Sequence, residues 1–300
     1  MTPSAAVVVL DWNGLPDTLD CLTSLAASDW PRLTTIVVDN GSDHPVGPAV
    51  SERFPDTIVI RNEHNRGFAG GMNVGLEHAL QLGADYVLLL NNDTVVDQAM
   101  VRLLVGAAAE RRGAGIVSPL VLARDDPEQL ITSAGARFDP RRGHPGRPLL
   151  AGERADGRLH GVREVDASSG EAMLVSAQTV REIGPLDEDL YVRLEDIDWS
   201  LRMRAAGRRN YVALDARLWH AVSRSSGGEH SPLTAYYHTR NILVICNRHA
   251  PMSSPRALLR EAEVLVANLA HARRGKQPIA NARAVLAGWR DFRRGKLGPR

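Results

Sequence analysis

The stretch VLLLNNDTVVD, residues 87–97, carries an apolar run that stops abruptly on two amides and a carboxylate, Asn91, Asn92 and Asp93. The apolar residues are consecutive and do not alternate with polar ones. Such a run predicts a strand buried on both faces, as in parallel sheets covered by helices. Polar side chains at the edge of a core are costly to bury without partners. Two roles fit them: capping a helix that begins near Val96, or contacting a ligand. The neighbouring strands decide between the two.

Similar runs recur at AAVVVL (5–10), TTIVVD (34–39), TIVIRN (57–62), DYVLLLNN (85–92) and GAGIVSPLVL (113–122). Segments with helical spacing lie between them, marked by Leu19, Leu22 and Leu25, by Leu76, Ala79 and Leu80, and by Met100, Leu103 and Leu104. This alternation predicts an α/β fold, an open and mostly parallel sheet with helices on both faces. Sheets of this kind bind ligands outside the carboxyl ends of their strands. The first four strands end in DWNG (11–14), DNGSD (39–43), NEHNRG (62–67) and NNDT (91–94). Asn, Asp, Ser and Gly are ordinary residues of turns and caps, but four such ends in succession predict a single polar rim.

The 300 residues balance 36 Lys and Arg against 35 Asp and Glu, which argues against a nucleic-acid partner. Cys21 and Cys246 have no paired spacing, so a reducing, cytoplasmic setting is expected. No run reaches the roughly 18 apolar residues of a membrane span. Residues 124–165 are rich in Gly, Pro and Arg and predict a flexible insertion within a catalytic domain of residues 1–230. Residues 231–300 change to helices alone. From His271 to Arg300 nine basic residues stand against one acid, Asp291. This C-terminal helical extension is expected to lie on the inner face of an anionic membrane, or to pack on the catalytic domain or a second subunit of a homodimer.

The stretch NRGFAGGMNVGL (65–76) puts four glycines ahead of a helix. They permit either anion binding at the helix start or a close turn, and match neither common nucleotide motif. Asp93, at an oxygen-rich strand end, suits a hard divalent cation. In LDEDLYVRLEDIDWSLRMRAAG (186–207), a helix beginning near Glu195 places Glu195, Asp198 and Trp199 on one face. Asp196 then points about 100° away from Glu195. Asp198 is expected to pair with Arg202, and one of the carboxylates can act as general base. His220 closes ALDARLWHA after a strand, either as a structural residue or as a neutral imidazole completing the metal site of Asp93.

Taken in order, VVVLDWNG, IVVDNGSD, NRGFAGGMNVGL, LLLNNDT, SGEAML, GPLDEDLYVRLEDIDWSLRMRAAG and ARLWH resemble the successive blocks of family 2 glycosyltransferases, especially the rhamnosyltransferase-like bacterial branch. They cover most of residues 5–225. The resemblance implies the GT-A fold, a dTDP- or UDP-sugar donor, Mg²⁺ or Mn²⁺, and inversion of the anomeric centre. It also implies a saccharide or lipid-linked acceptor in cell-envelope polysaccharide synthesis. By the same resemblance Asp39 holds the nucleotide base, and Asn65 and Gly67 line the nucleotide pocket. Asp93 matches the metal-binding aspartate of a D-x-D-type motif, with Asn92 beside it on the donor side. Asp196 matches the catalytic base, and His220 a position that approaches metal and diphosphate. Glu195 and Trp199 fall on the acceptor side, with Trp199 as a bulky shelf. The chain departs from the pattern at Asp11, where asparagine is usual, and at NND, which offers fewer anionic ligands than D-x-D. A sugar-phosphate nucleotidyltransferase is one alternative, although DWNG has no basic residue for it. A non-catalytic nucleotide-sugar-binding subunit is another, and it would tolerate loss of Asp196.

Overall fold

The computed structural model describes residues 2–300 except 125, 127, 128, 140–143, 147 and 222–230. The chain opens with β1 (Ala5–Asp11), α1 (Leu15–Ala26), β2 (Leu33–Asp39), α2 (Gly47–Arg53), β3 (Ile58–Arg61) and α3 (Gly67–Gln81). It continues through β4 (Tyr86–Asn91), β5 (Thr94–Val96), α4 (Met100–Ala109) and β6 (Ala114–Ala123). Four short strands follow: β7 (Ile131–Ser133), β8 (Phe138–Asp139), β9 (His144–Pro145) and β10 (Val162–Val165). Then come β11 (Ala172–Ser176), α5 (Ala177–Ile183), a 3₁₀ turn (Glu188–Leu190), α6 (Glu195–Ala205) and β12 (Arg209–His220). The chain ends in α7 (Pro232–His249), α8 (Ser254–Ala272) and α9 (Pro278–Arg293).

The main sheet is open, in the order β10-β12-β6-β11-β4-β1-β2-β3. Strands β4, β1, β2 and β3 are parallel, and so are β6 and β12. Register places Leu10 opposite Asn91, Asp11 opposite Asp39, and Asp39 opposite Arg61, so the carboxyl ends form the expected polar rim. Strand β11 runs antiparallel between β4 and β6, a reversal that apolar patterning does not reveal. The expected helix near Val96 is absent: Thr94–Val96 pairs with β12 as β5, and α4 starts at Met100. Asp93 is therefore not its cap.

Side-chain alternation explains why the strands read as continuously apolar. Val7, Val9, Leu88 and Leu90 face Leu22 and Leu25 of α1 and Leu104 of α4, while Val8, Val38 and Leu89 face Met72 and Leu76 of α3 and Trp199 of α6. Both faces are thus covered. Two glycines of 65–76, Gly71 and Gly75, serve that packing. A Cβ on Gly75 would lie 2.2 Å from Val8 Cγ1, so only glycine lets α3 approach β1 this closely.

Part of the segment 124–165, expected as a flexible insertion, packs on the sheet. Among the described residues, Ile131, Ala134 and Val165 join Leu120, Leu122, Val212 and Leu214 in a buried cluster, with Leu149, Leu150 and Leu159 against it. These apolar residues are spaced to reach one patch of sheet, which bulk composition conceals.

The C-terminal helices are packed into the rest of the chain. Trp289 and Phe292 lie against Ile242, Leu243, Cys246 and Val264, and Val285 is buried. Helix α8 leaves Leu258, Leu259 and Val266 exposed. No helix among the described residues is long and apolar enough to cross a membrane.

From α7, Arg240 and Asn241, both fully buried, reach the segment before α6. Asn241 Nδ2 donates to the carbonyls of Leu190 (2.9 Å), Val192 (3.0 Å) and Arg193 (2.7 Å). Arg240 Nη2 donates to Asp189 and Leu190 carbonyls at 3.0 and 2.9 Å, and its Nε to Asn241 Oδ1 at 2.9 Å. Leaving a buried acceptor unpaired costs about 1–3 kcal/mol. Asn241→Leu, of similar size, is therefore expected to lower unfolding free energy by about 3 kcal/mol. Urea denaturation measures it; a midpoint equal to wild type would show that these carbonyls do not depend on Asn241.

Candidate active site

At the carboxyl edge of the sheet a cavity of about 830 Å³ opens between the strand ends and the C-terminal helices. Asn91 and Asp93 enter it from β4 and the turn that follows, and His220 from the end of β12. Glu195 and Asp196 enter from the first turn of α6. Residues 168–171, which lead into β11, also line it, while His238, Asn268 and His271 face them from α7 and α8.

Asp93 and His220 meet because β5 folds back on β12, with Thr94 opposite His220. His220 Nε2 lies 3.1 Å from Asp93 Oδ1, and its Nδ1 lies 3.9 Å from Glu171 Oε1. Burial disfavours the imidazolium, but the hydrogen bond to Asp93 and the charges of Asp93 and Glu171 outweigh it, so the pKa of His220 is raised. Asn91 Oδ1, in the same cavity, is a buried acceptor with no hydrogen-bond partner. The described residues contain no cluster of three His, Cys, Asp or Glu able to hold a metal by themselves. The donor set at Asp93 nevertheless fits Mg²⁺ or Mn²⁺, which take one or two protein ligands and complete their shell with phosphate oxygens and water.

The carboxylates of α6 have contrasting surroundings. Leu194, at φ 69°, turns the chain sharply into the helix and sends Glu195 and Asp196 toward the cavity. Asp196 Oδ1 accepts from the backbone N–H of Ile197, and Gly170 lies so close that a Cβ there would be 3.0 Å from Asp196 Oδ2. Burial, followed by the charge of Glu171, raises the pKa of Asp196 to about 6. Burial and the charge of Asp196 push Glu195 to about 8, and its Oε2 has no hydrogen-bond partner. Burial would also raise Asp198, but His249 and Arg202 hold it below the usual carboxylate range. The expected pair is present: Arg202 Nε donates to Asp198 Oδ2 at 2.9 Å. Asp198 is thus a structural anchor and Asp196 an open acceptor.

The cavity brings together Asp93, His220, Glu195 and Asp196. Asp39, Asn65 and Gly67 stand on the neighbouring strand ends beyond it. The Asp39 carboxylate accepts from the backbone N–H groups of Ser42 and Val46 and pairs with Arg61. Asn65 Oδ1 accepts from Gly67 N and Asn40 Nδ2. Gly67, at φ 73°, lies beneath Tyr191, whose ring a Cβ would strike.

One expected position is corrected, and a second is placed outside the cavity. Trp199 is no acceptor shelf: it is 0% exposed, packs in the core against α3, and donates its indole N–H to Gly184 O at 2.9 Å. Four residues beyond Glu195, it lies about 6 Å farther along the helix, below the sheet edge. Asn92 does not line the cavity. Its Nδ2 turns instead toward α1 and β1, donating to Thr18 Oγ1 at 3.0 Å and Asp11 Oδ1 at 3.2 Å. The same contacts account for Asp11, whose carboxylate also accepts from Thr18 and Ser42 hydroxyls. The residues overlooked from sequence are Ser168 and Glu171. Glu171 lies in the block SGEAML, to whose residues no role is assigned, and the signal both share is position: SSGE precedes an apolar strand just as NND follows one.

The sequence model of glycosyl transferase family 2 matches residues 6–156. The galactofuranosyltransferase GlfT1 of Mycobacterium tuberculosis is 32% identical over 225 residues, covering 73% of this chain and 71% of its own. The N-acetylglucosaminyl-diphospho-decaprenol L-rhamnosyltransferase of the same species is 23% identical over 267 residues, covering 83% and 86%. Among solved structures, the mannosyltransferase PcManGT from Pyrobaculum calidifontis, in complex with GDP-Man and Mn²⁺, superposes with a TM-score of 0.60. It shares 20% identity, and the match covers 96% of this chain and 75% of that one. The chain belongs to glycosyl transferase family 2 and has the GT-A fold.

Proposed function

We propose that this glycosyltransferase moves a sugar, with inversion, from a nucleoside-diphosphate donor to a hydroxyl of a saccharide or lipid-linked acceptor in cell-envelope polysaccharide synthesis. The observation that carries the reading is the cavity that joins Asp196, a carboxylate with no cationic partner in hydrogen-bond reach among the described residues, to the Asp93–His220 pair. Asp93 and His220 would hold a divalent cation, which supplies Lewis-acid stabilisation of the departing diphosphate when bound. Asp196 accepts the proton of the acceptor hydroxyl as that oxygen bonds to the anomeric carbon and the bond to the diphosphate breaks. One displacement from the opposite face inverts the centre. Glu195, pushed to about 8, stays neutral near pH 7 and leaves Asp196 as the ionised member of the pair. Asp39, Asn65 and Gly67 shape the adjoining strand-end loops, where the nucleoside of a dTDP- or UDP-sugar fits.

A lipid-linked acceptor is supported by the relative named for a decaprenol diphosphate substrate. It is also supported by the exposed Leu258, Leu259 and Val266 on α8, which suit a peripheral contact with a bilayer.

Asp196→Asn is expected to abolish transfer while donor affinity stays near wild type, because the amide keeps the shape but cannot take the proton. In the wild type, kcat/KM should fall on acidification through about pH 6, where Asp196 protonates, and not near pH 4 as for an ordinary aspartate. Transfer by the Asn variant at the wild-type rate would remove Asp196 from the chemistry. Asp93→Ala should weaken binding of the nucleoside diphosphate in Mn²⁺ and leave the free nucleoside unaffected; calorimetry showing equal losses would point to a collapsed pocket. Finally, cosedimentation with anionic vesicles should be lost when Leu258, Leu259 and Val266 all become Ser. Binding that survives this change would place any membrane contact elsewhere.

A further inference from the structure

Glu171 has no part in the proton transfer or in the cation site, yet it stands between them. Strand β11 pairs antiparallel with β4, Ala172 opposite Leu90, and the backbone N–H of Asn91 donates to Glu171 O at 3.0 Å. The two side chains are thereby cross-strand neighbours at the sheet edge. One oxygen of Glu171 lies 3.9 Å from His220 Nδ1 on the cation side, and the other accepts from the Ser169 hydroxyl. On its other side the preceding residue, Gly170, is pressed against Asp196. The carboxylate remains partly open to the cavity.

In a displacement that ends at Asp196 and leaves toward Asp93, the transferred sugar occupies the space between the two. Some of the groups lining that space are acceptors. Glu171 is one, and Asn91 Oδ1 is a second with no partner. Ser168, more than nine-tenths buried at 1% exposure, also lines the cavity with an unpartnered hydroxyl oxygen. Carboxylate and amide oxygens only accept, so their complement is a ligand rich in hydroxyl donors. A carboxylate can take two neighbouring hydroxyls at once, with strong charge-assisted bonds.

We propose that Glu171, flanked by Asn91 and Ser168, binds the hydroxyls of the transferred sugar and sets which sugar the enzyme accepts. The inference rests on the transferase reading above and adds a specificity-determining residue to it. A site built to bind a hydroxyl discriminates strongly against a sugar that lacks it, because the acceptor is then left unpaired.

The test is titration calorimetry of the full chain in Mn²⁺, comparing wild type with Glu171→Ala and the isosteric Glu171→Gln. The probes are UDP, dTDP and GDP, and the sugar nucleotides UDP-glucose, UDP-galactose, GDP-mannose and dTDP-rhamnose. Melting curves without ligand check that both variants fold. Wild type is expected to bind one sugar nucleotide more tightly than its parent nucleotide. Both variants should lose about tenfold or more on that sugar nucleotide, with affinity for the parent nucleotide unchanged. Equal losses on nucleotide and sugar nucleotide would overturn the proposal, because Glu171 would then act through His220 and the diphosphate end. Unchanged binding of the preferred sugar nucleotide by the folded variants would overturn it too, as would a wild type that gains nothing from any sugar. A wild type that binds none of the nucleotides would instead remove the transferase reading itself.

Discussion

The arrangement of the site depends on the grip of α7 on the chain just before α6. Tyr191, Arg193 and Leu194 all have positive φ, at 66°, 73° and 69°. For residues other than glycine each such conformation costs of the order of 1–3 kcal/mol, and it persists only when surrounding contacts over-determine it. Arg240 and Asn241 supply those contacts. They are buried, they hydrogen-bond the carbonyls of Asp189, Leu190, Val192 and Arg193, and Arg240 lies 4.9 Å from the centre of the Tyr237 ring. The sharp turn that results starts α6 at Glu195, at the rim of the sheet. It also brings Tyr191 over Gly67 and ties Tyr191 O to Ala69 N, joining the start of α3 to the same assembly. Helix α7 therefore helps to build the site.

Three acids within one turn of α6 show how partners and not residue type assign roles. Asp198 faces Arg202, Arg248 and His249, and its charge is compensated where it is buried. Burial dominates at Glu195 and Asp196, with the charge of Asp196 beside the first and of Glu171 beside the second, and Arg193 offsets it only in part at Glu195, so their protonated forms are favoured. A buried acid that is uncompensated is unfavourable for the fold and useful for accepting a proton. The anchored member fixes the helix on which Asp196, the proposed base, sits.

Much of this was legible along the chain. The polar strand ends, the open α/β sheet and the helix beginning at Glu195 follow from local pattern, because parallel strands in register bring their ends to one edge whatever the details of packing. The Asp198–Arg202 pair is likewise local, four residues apart on a helix. Depth and direction were not legible. Helical periodicity puts Trp199 on the face of Glu195 but does not say that one turn carries it from the rim into the core. Proximity in sequence puts Asn92 beside Asp93, yet the turn into β5 sends their side chains to different neighbours.

What the sequence by itself determined is the set of short-range relations: which segments are strands, where their polar ends fall, and which acids share a helical turn. The tertiary structure alone decided that β11 runs antiparallel beside β4 and so sets Glu171 next to Asn91. It alone decided that residues of 124–165 cover the sheet, and that α7 returns from far along the chain to hold the turn before α6. These are contacts between residues remote in sequence. Hydrophobic burial selects them collectively, once the whole core closes, and no local spacing encodes them.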